Sequence, residues 1–561
     1  MRKNNVIFQN AMLLFAAMTV IKIIGALFKI PLGNILGGLG MSYFSSAFSV
    51  FQPIFALTCV SLPTVMTRLI AQNIAQSKHY NIKKIKSVAL KAATVLGLSG
   101  MTIIFFVSSP FAKYVANAEN SITAMLLFAP AVLFCCIASV YRGYFEGLNN
   151  MLPTAISQII ESTFKALLGV AFAYITLERT NSLPLAAAAA VLGLTISEAL
   201  GALSLYIYSR WHETGKKPPA ADSGEPPVAA LSIKKVLKKK HTISETPDST
   251  KTILKSLLKE SLPITAGAIV ITLSSFIDLL TITNCINVAI GKNLNFFLEN
   301  FTYGFKSDIA INDIGNFIYG SYNGIVLSLF GLIPSMTAMV SKSALTSIAA
   351  AWEQKNRALI RRNLNILLKG TLIIGFPLCL GMAVLAEPIL NLLYFARPDE
   401  AMVCVKPLII LSTGGIFLAL TGALFNIFQA IGRADLQIKI MVMGGMLKLG
   451  GNLLLIPIPE LNISGAAIST LLCYTFISVT GLITLKHIKG ISFCFLPHFT
   501  SALINSLLCA GVSYMLYHHL PIGGGEVIKL ATSVAAGAAV YIGATLFVDR
   551  KAVRQLTTVD S

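Results

Sequence analysis

Apolar residues come in blocks of about twenty along this chain, and the blocks are divided by short polar stretches. Fourteen such blocks can be delimited, near residues 11–32, 43–67, 88–109, 121–142, 153–177, 184–209, 259–285, 314–340, 364–386, 404–428, 436–457, 462–485, 496–517 and 527–548. Each is long enough to cross a bilayer as a helix. Lipid offers no partner for backbone N–H and C=O groups, so open sheet is excluded and every span is expected to be helical. The fold class predicted is an all-α integral membrane protein. The first run, from Ala11, reads as a retained signal-anchor, because no small-residue cleavage site follows it.

The polar stretches fix the orientation. Arg2 and Lys3 precede the first block. Arg68, Lys78, Lys83, Lys84 and Lys86 follow the second, and Lys342, Lys355, Arg357, Arg361 and Arg362 follow the eighth. The intervening loops are poor in Lys and Arg: Lys113 is balanced by Glu119, and Arg397 is outweighed by Asp399 and Glu400. This alternation predicts an even number of spans with both termini in the cytoplasm. The one long polar stretch, Trp211 to Thr252, holds a basic run from Lys234 to Lys240 and reads as a cytoplasmic linker lying against anionic headgroups. A second polar piece, Asn287 to Asp313, is expected outside the membrane as a loop, lid or interfacial helix.

A repeat organises the blocks. The stretch from Arg142 to Lys165 recurs 283 positions later, with Phe145-Glu146 falling on Phe428-Gln429, Asn149-Asn150 on Gly432-Arg433 and Lys165 on Lys448. Ser61-Leu62-Pro63 is echoed by Leu332-Ile333-Pro334, and Ser109-Pro110 by Glu387-Pro388. A duplicated helix–turn–helix predicts two pseudo-symmetric six-helix lobes with a site between them, plus two C-terminal helices outside the repeat. The expected division is 1–210 for the first lobe, 211–252 for the linker, 253–489 for the second lobe and 490–561 for the last two helices and a cytoplasmic tail.

Composition removes the competing classes. Of 561 residues, 55% are apolar and 12% charged, where soluble domains carry about 25% charged residues. The formal net charge of +20 sits in the loops between spans, which speaks for topology rather than nucleic acid. The nine cysteines lie mostly within apolar runs, with no CxxC and no Cys/His cluster, so no metal or other cofactor is expected. No GxxxxGK[ST] is present, so the chain has no ATPase motif of its own.

Several segments resemble a known family. Lys22-Ile-Ile-Gly-Ala-Leu-Phe-Lys-Ile-Pro-Leu-Gly-Asn-Ile-Leu-Gly37 and Arg142-Gly-Tyr-Phe-Glu-Gly-Leu-Asn-Asn-Met-Leu-Pro-Thr-Ala-Ile-Ser-Gln-Ile-Ile-Glu161 resemble the stage V sporulation protein B-like branch of the polysaccharide transporters. Phe317-Ile-Tyr-Gly-Ser-Tyr-Asn-Gly324, Leu392-Leu-Tyr-Phe395 and Phe428-Gln-Ala-Ile-Gly432 are similar as well. The branch belongs to the multidrug/oligosaccharidyl-lipid/polysaccharide exporter superfamily, which includes lipid II flippases. The resemblance implies a monomeric, two-lobed transporter in the bacterial cell membrane. It would move a lipid-linked saccharide from the inner to the outer leaflet by alternating access, for wall, polysaccharide or spore-cortex synthesis. Lipid II flippases use arginines on the first and second helices to hold pyrophosphate; here Lys22 stands where one of them would align and Phe28, beside Lys29, where another would.

Ionised side chains at membrane depth are costly and mark candidate sites. Lys22 and Lys29 share a helix face and suit a pyrophosphate, although Lys29 could also snorkel to the surface. Ser157, Glu161 and Lys165, four residues apart, form one stripe with a possible Glu161–Lys165 pair. Lys448, with Asn452 one turn on, has no carboxylate at that spacing and needs a ligand or a partner elsewhere. Glu198 and Asp278 are lone mid-span carboxylates, candidates for coupling to a proton or sodium ion or for pairing with the lysines. Arg68, Arg142 and Arg433 are expected at cytoplasmic ends, as gate or headgroup contacts. Two alternatives stay open: an ion-coupled multidrug exporter, whose cavity should favour carboxylates over lysines, and a membrane transferase acting on lipid-linked sugars, for which no nucleophile–base pair is visible.

Overall fold

The computed structural model describes residues 2–76, 78–214, 248–302, 309–488, 490–491, 493–519 and 525–548, while the side chains of residues 2–20 and of several neighbours, Lys22 among them, lie outside the described set. Among the described residues every regular element is helical. The principal helices are α1 (Arg2–Thr58), α2 (Ser61–Ala75), α3 (His79–Tyr114), α4 (Ile122–Gly147), α5 (Leu152–Thr180), α6 (Leu183–Thr214), α7 (Thr250–Lys292), α8 (Ile314–Ser321) and α9 (Leu332–Glu353). They continue with α10 (Arg357–Val384), α11 (Ala386–Leu393), α12 (Pro398–Thr413), α13 (Gly415–Ala430), α14 (Ala434–Leu455), α15 (Asn462–His487), α16 (Leu496–His519) and α17 (Gly525–Val548).

Twelve helices among the described residues are long and apolar enough to cross a membrane, or thirteen when α12 and α13, bent by 50°, count as one span. The expected count of fourteen is therefore not reproduced, and two places account for the difference. The expected span 404–428 is this bent pair, broken at Gly414, where a Cβ would collide with Leu471. The expected span 11–32 falls largely on side chains outside the described set. The first two expected spans follow one another without a loop: α1 is two helices that meet at a kink at Gly37, whose φ of +62° and ψ of −173° are non-helical and suit glycine alone. The second block then breaks at Cys59-Val60 and resumes as α2, with Pro63 in the first turn, where a missing N–H is harmless. The stretch 287–313 is more helical than a loop. It completes α7 and adds short helical turns in which Phe297 stacks on Phe301 at 5.6 Å; residues 303–308 of it lie outside the described set.

The chain forms two compact units, Met1–Leu36 with Tyr43–Phe276, and Gly37–Ser42 with Ile277–Ser561. The division falls inside α7, later than the 211–252 linker, most of which lies outside the described residues. The first unit is built on α4 and α6. Helix α4 packs on α2, α3 and α6, and α5 lies along α6. Lipid is as apolar as leucine, so close backbone approach, rather than water exclusion, holds such helices together. Gly193 supplies that approach, since a Cβ there would come 2.6 Å from the Gly169 nitrogen. Phe51 stacks on Phe128 at 4.1 Å in the same unit.

The second unit pairs α9 with α10, α14 with α15 and α16 with α17. Its short segment 37–42 lies against α8, where a Cβ on Gly320 would collide with the Gly38 carbonyl oxygen. The Gly38 N–H donates to Glu400 Oε1 at 3.1 Å. The last two helices are part of this unit: α16 lies along α10, and Tyr541 donates to the Ile373 carbonyl at 2.7 Å.

The α5–α6 approach gives a direct test. Gly193→Leu is expected to cost about 1–3 kcal/mol by overpacking, read as a lower melting temperature in detergent. An unchanged melt would mean that the two backbones do not meet at Gly169.

Candidate functional site: two buried polar seams

The first seam lies within the first unit, between α4, α5 and α6. Gly143 on α4 faces α2, where an added Cβ would come 2.5 Å from Met66 Cβ and 2.6 Å from the Pro63 oxygen. That contact fixes the rotation of α4 and turns its neighbour Arg142 toward α5. Arg142 Nη2 donates to Glu161 Oε2 at 2.6 Å, and its Nε to Ser157 Oγ at 3.4 Å. Ser157 and Glu161 are one turn apart, so a single guanidinium spans both. From α6, Glu198 brings its carboxyl beside that of Glu161 and accepts a hydrogen bond from Cys135 Sγ at 3.1 Å. The ion pair is largely shielded, with Arg142 and Glu161 side chains 16% and 21% exposed.

This arrangement corrects two expectations. Arg142 is no headgroup contact at a helix end; it is built into the helix bundle. Glu161 pairs with Arg142 rather than with Lys165. An i,i+4 pair along one helix contributes only about 0.2–0.5 kcal/mol, whereas a charge-assisted hydrogen bond contributes roughly 1.5–3, so the guanidinium wins. Lys165 instead lies over two rings, 6.0 Å from the centre of Phe28 and 5.9 Å from that of Phe48. Lys29 is half-buried on α1 and close enough to Lys165 to feel its charge. The Lys22 side chain lies outside the described residues.

The second seam lies within the second unit, between α7, α14 and α15. Lys448 Nζ donates to Asp278 Oδ2 at 2.6 Å, with the two side chains 2% and 3% exposed. Asn452, one turn along α14, donates to Asp278 Oδ1 at 3.2 Å and to Thr281 Oγ1 at 2.7 Å, and accepts from Ser469 Oγ. Gly451 allows α15 this close, since a Cβ there would stand 2.7 Å from Ser469 Cβ. The partner that the sequence requires for Lys448 is thus Asp278, 170 residues away in the chain.

The remaining arginines are exposed. Arg68 is 3.8 Å from Glu260 with its side chain 66% exposed, and Arg433 lies 3.1 Å from Asp435. Sequence reasoning missed the part played by four residues. Cys135 reads as a small apolar residue, yet it stands two helical turns before Arg142, on the same stripe. Thr281 and Ser469 are ordinary hydroxyls whose role depends on a distant asparagine. Lys86, assigned to a basic loop, is buried beneath Tyr141 and Tyr144, at 5.2 and 4.8 Å, and donates to Ser209 Oγ at 2.6 Å. Among the described residues no group of three or more His, Cys, Asp or Glu could hold a metal ion.

Breaking the second seam on one side only should be severe. Asp278→Ala strands a buried ammonium and is expected to cost about 3–5 kcal/mol. Asp278→Asn combined with Lys448→Met should recover most of that loss, as measured by chemical unfolding in micelles. Equal destabilisation by both would show that packing, not the stranded charge, carries the effect.

Comparison with known proteins places this architecture. A family model described as "Polysaccharide biosynthesis protein" matches residues 7–297, and one described as "Lipid II flippase MurJ" matches residues 314–535. The chain is 22% identical over 535 residues to stage V sporulation protein B of Bacillus subtilis (strain 168), covering 95% of this chain and 94% of that protein. It is 20% identical over 538 residues to the lipid II flippase MurJ of the same organism, covering 93% and 91%. In structure it resembles lipid II flippase MurJ in an inward closed conformation, with a TM-score of 0.64 at 14% identity, over 97% of this chain and 100% of that one. The chain is therefore a multi-pass membrane protein that belongs to the polysaccharide biosynthesis protein family.

Proposed function

We propose that the chain moves a polyprenyl-pyrophosphate-linked oligosaccharide or peptidoglycan precursor from the inner to the outer leaflet of a bacterial cell membrane by alternating access, as a monomer with both termini in the cytoplasm. The observation that carries this reading is the proximity of Lys29 and Lys165 inside membrane-spanning helices. Among the described residues neither makes an ion pair with a carboxylate. Two like charges at membrane depth repel, and an anion between them removes the repulsion. A pyrophosphate supplies that charge, with the Lys165 ammonium already positioned over the rings of Phe28 and Phe48.

The lipid part of such a cargo also finds a surface. An apolar groove of about 520 Å³ runs between α1 and α5, with walls that include Ile24, Phe28, Pro31, Leu167, Val170 and Tyr174. Phe28 belongs both to this groove and to the ring pair beneath Lys165, so an apolar chain and an anionic head would meet there. A cationic drug would be repelled by the same lysines, and the carboxylate of Asp278 is already occupied by Lys448. The energy comes from an ion, a proton or sodium, acting at Glu198.

Vesicles holding the purified protein and a fluorescent lipid-linked pyrophosphoryl sugar provide the test. Label is expected to cross without change in its mass. Lys29→Ala and Lys165→Ala should each slow it roughly 10- to 100-fold, as loss of one charged contact of about 1.5–3 kcal/mol implies. Unchanged label distribution, together with efflux of a cationic dye, would replace this reading with drug export.

A further inference from the structure

We propose that Glu161 and Glu198 form a carboxyl pair that shares one proton, and that Arg142 controls its loading. The inference deepens the reading above by assigning the coupling ion and its seat.

The charged and titratable groups around the pair come from three helices. Helix α4 contributes Cys135, Arg142 and, one turn on, Glu146, which accepts from Thr67 Oγ1 at 3.4 Å. Helix α5 contributes Glu161, with Lys165 a turn further toward Phe28 and Phe48. Helix α6 contributes Glu198. Between Glu161, Glu198 and Arg142 the count is two carboxyls against one guanidinium. With both carboxyls ionised, a net negative charge would remain at membrane depth, and two carboxylate oxygens within hydrogen-bonding reach would oppose each other with lone pairs. One proton removes both conflicts.

The donors decide which carboxyl carries it. Glu161 Oε2 receives a guanidinium N–H at 2.6 Å, a strong charge-assisted bond. Glu198 Oε2 receives a thiol S–H at 3.1 Å, a weak donor. The anion is therefore better held on Glu161 and the proton on Glu198, whose O–H donates to Glu161. Gly201, one turn along α6 from Glu198, lies against Glu161: a Cβ there would stand 3.5 Å from Glu161 Oε2, in ordinary contact.

The second seam differs in kind. There one ammonium meets one carboxylate, with Asn452 bonded to the other carboxylate oxygen, and the sum is zero without a proton. Sodium does not suit the first seam either. Sodium needs several oxygen ligands, whereas N–H and S–H donors already point at the carboxyls and Arg142 repels a cation. If Arg142 leaves Glu161, the carboxyl loses its counter-charge and takes a second proton from water. When Arg142 returns, that proton is expelled. Proton loading is thereby tied to the α4–α5 contact.

Infrared spectroscopy of the full chain in lipid, as a function of pH, tests the pair without reference to cargo. Wild-type protein should show one protonated-carboxyl band at neutral pH. That band should vanish in Glu198→Gln and equally in Glu161→Gln, because one carboxylate then faces one guanidinium, and it should survive in Asp278→Asn. Absence of the band in wild type, or its persistence in Glu161→Gln, overturns the proposal, and the wild-type spectrum decides even if a variant fails to fold. In vesicles a proton gradient should speed lipid movement about fivefold or more in wild type and have no effect in Glu198→Gln; a response to sodium alone also overturns the proposal. A pair-specific band without lipid movement would leave the proton site standing and remove the flippase reading.

Discussion

An ionised side chain inside a bilayer must find its counter-charge within the protein or on a ligand. This constraint organises both units. In the first, Arg142 reaches from α4 to Ser157 and Glu161 on α5, and Glu198 closes the group from α6. In the second, Lys448 on α14 meets Asp278 on α7, and Asn452 ties α15 into the same group through Ser469. Helices that lipid would otherwise leave free to slide are indexed to one another by these contacts. In the second unit Gly451 sets the spacing that lets Asn452 and Ser469 meet.

Much of this was legible in the sequence. Hydropathy alone locates the helices, because a lipid-crossing segment has few other solutions. It fails where a break depends on one residue. Gly37 and Gly414 look no different from the many other glycines, and only the structure shows that the chain kinks at the first and bends by 50° at the second. The candidate residues were legible for the same energetic reason: a charge in an apolar run stands out. Their partners were not, because a pair such as Lys448 and Asp278 is separated by 170 residues and carries no local spacing. The i,i+4 rule misassigned Glu161 for the converse reason. It sees neighbours on one helix and is blind to a stronger donor on the next.

The two seams also differ in how their charge closes, although Lys165 and Lys448 each stand within an apolar run, 283 positions apart. In the second unit the lysine is buried against a carboxylate; in the first it is half-exposed over two rings, and the carboxylate beside it has gone to an arginine. The second seam is a closed electrostatic joint, and the first leaves a positive charge near a groove.

The separation of Asp278 from Lys448 bears on how the chain is made. Helix α7 leaves the ribosome with an aspartate in its apolar run, and α14 follows 170 residues later with the matching lysine. At about 5–20 residues per second, the interval is roughly 10–30 s. An aspartate or lysine at the centre of a span costs about 2.5–3.5 kcal/mol during insertion at the translocon. For that interval α7 is an under-stabilised span, dependent on its own leucines and isoleucines or on the insertion machinery. Arrival of α14 cancels both penalties at once. The buried joint that steadies the finished second unit therefore also makes its membrane assembly a late and cooperative event.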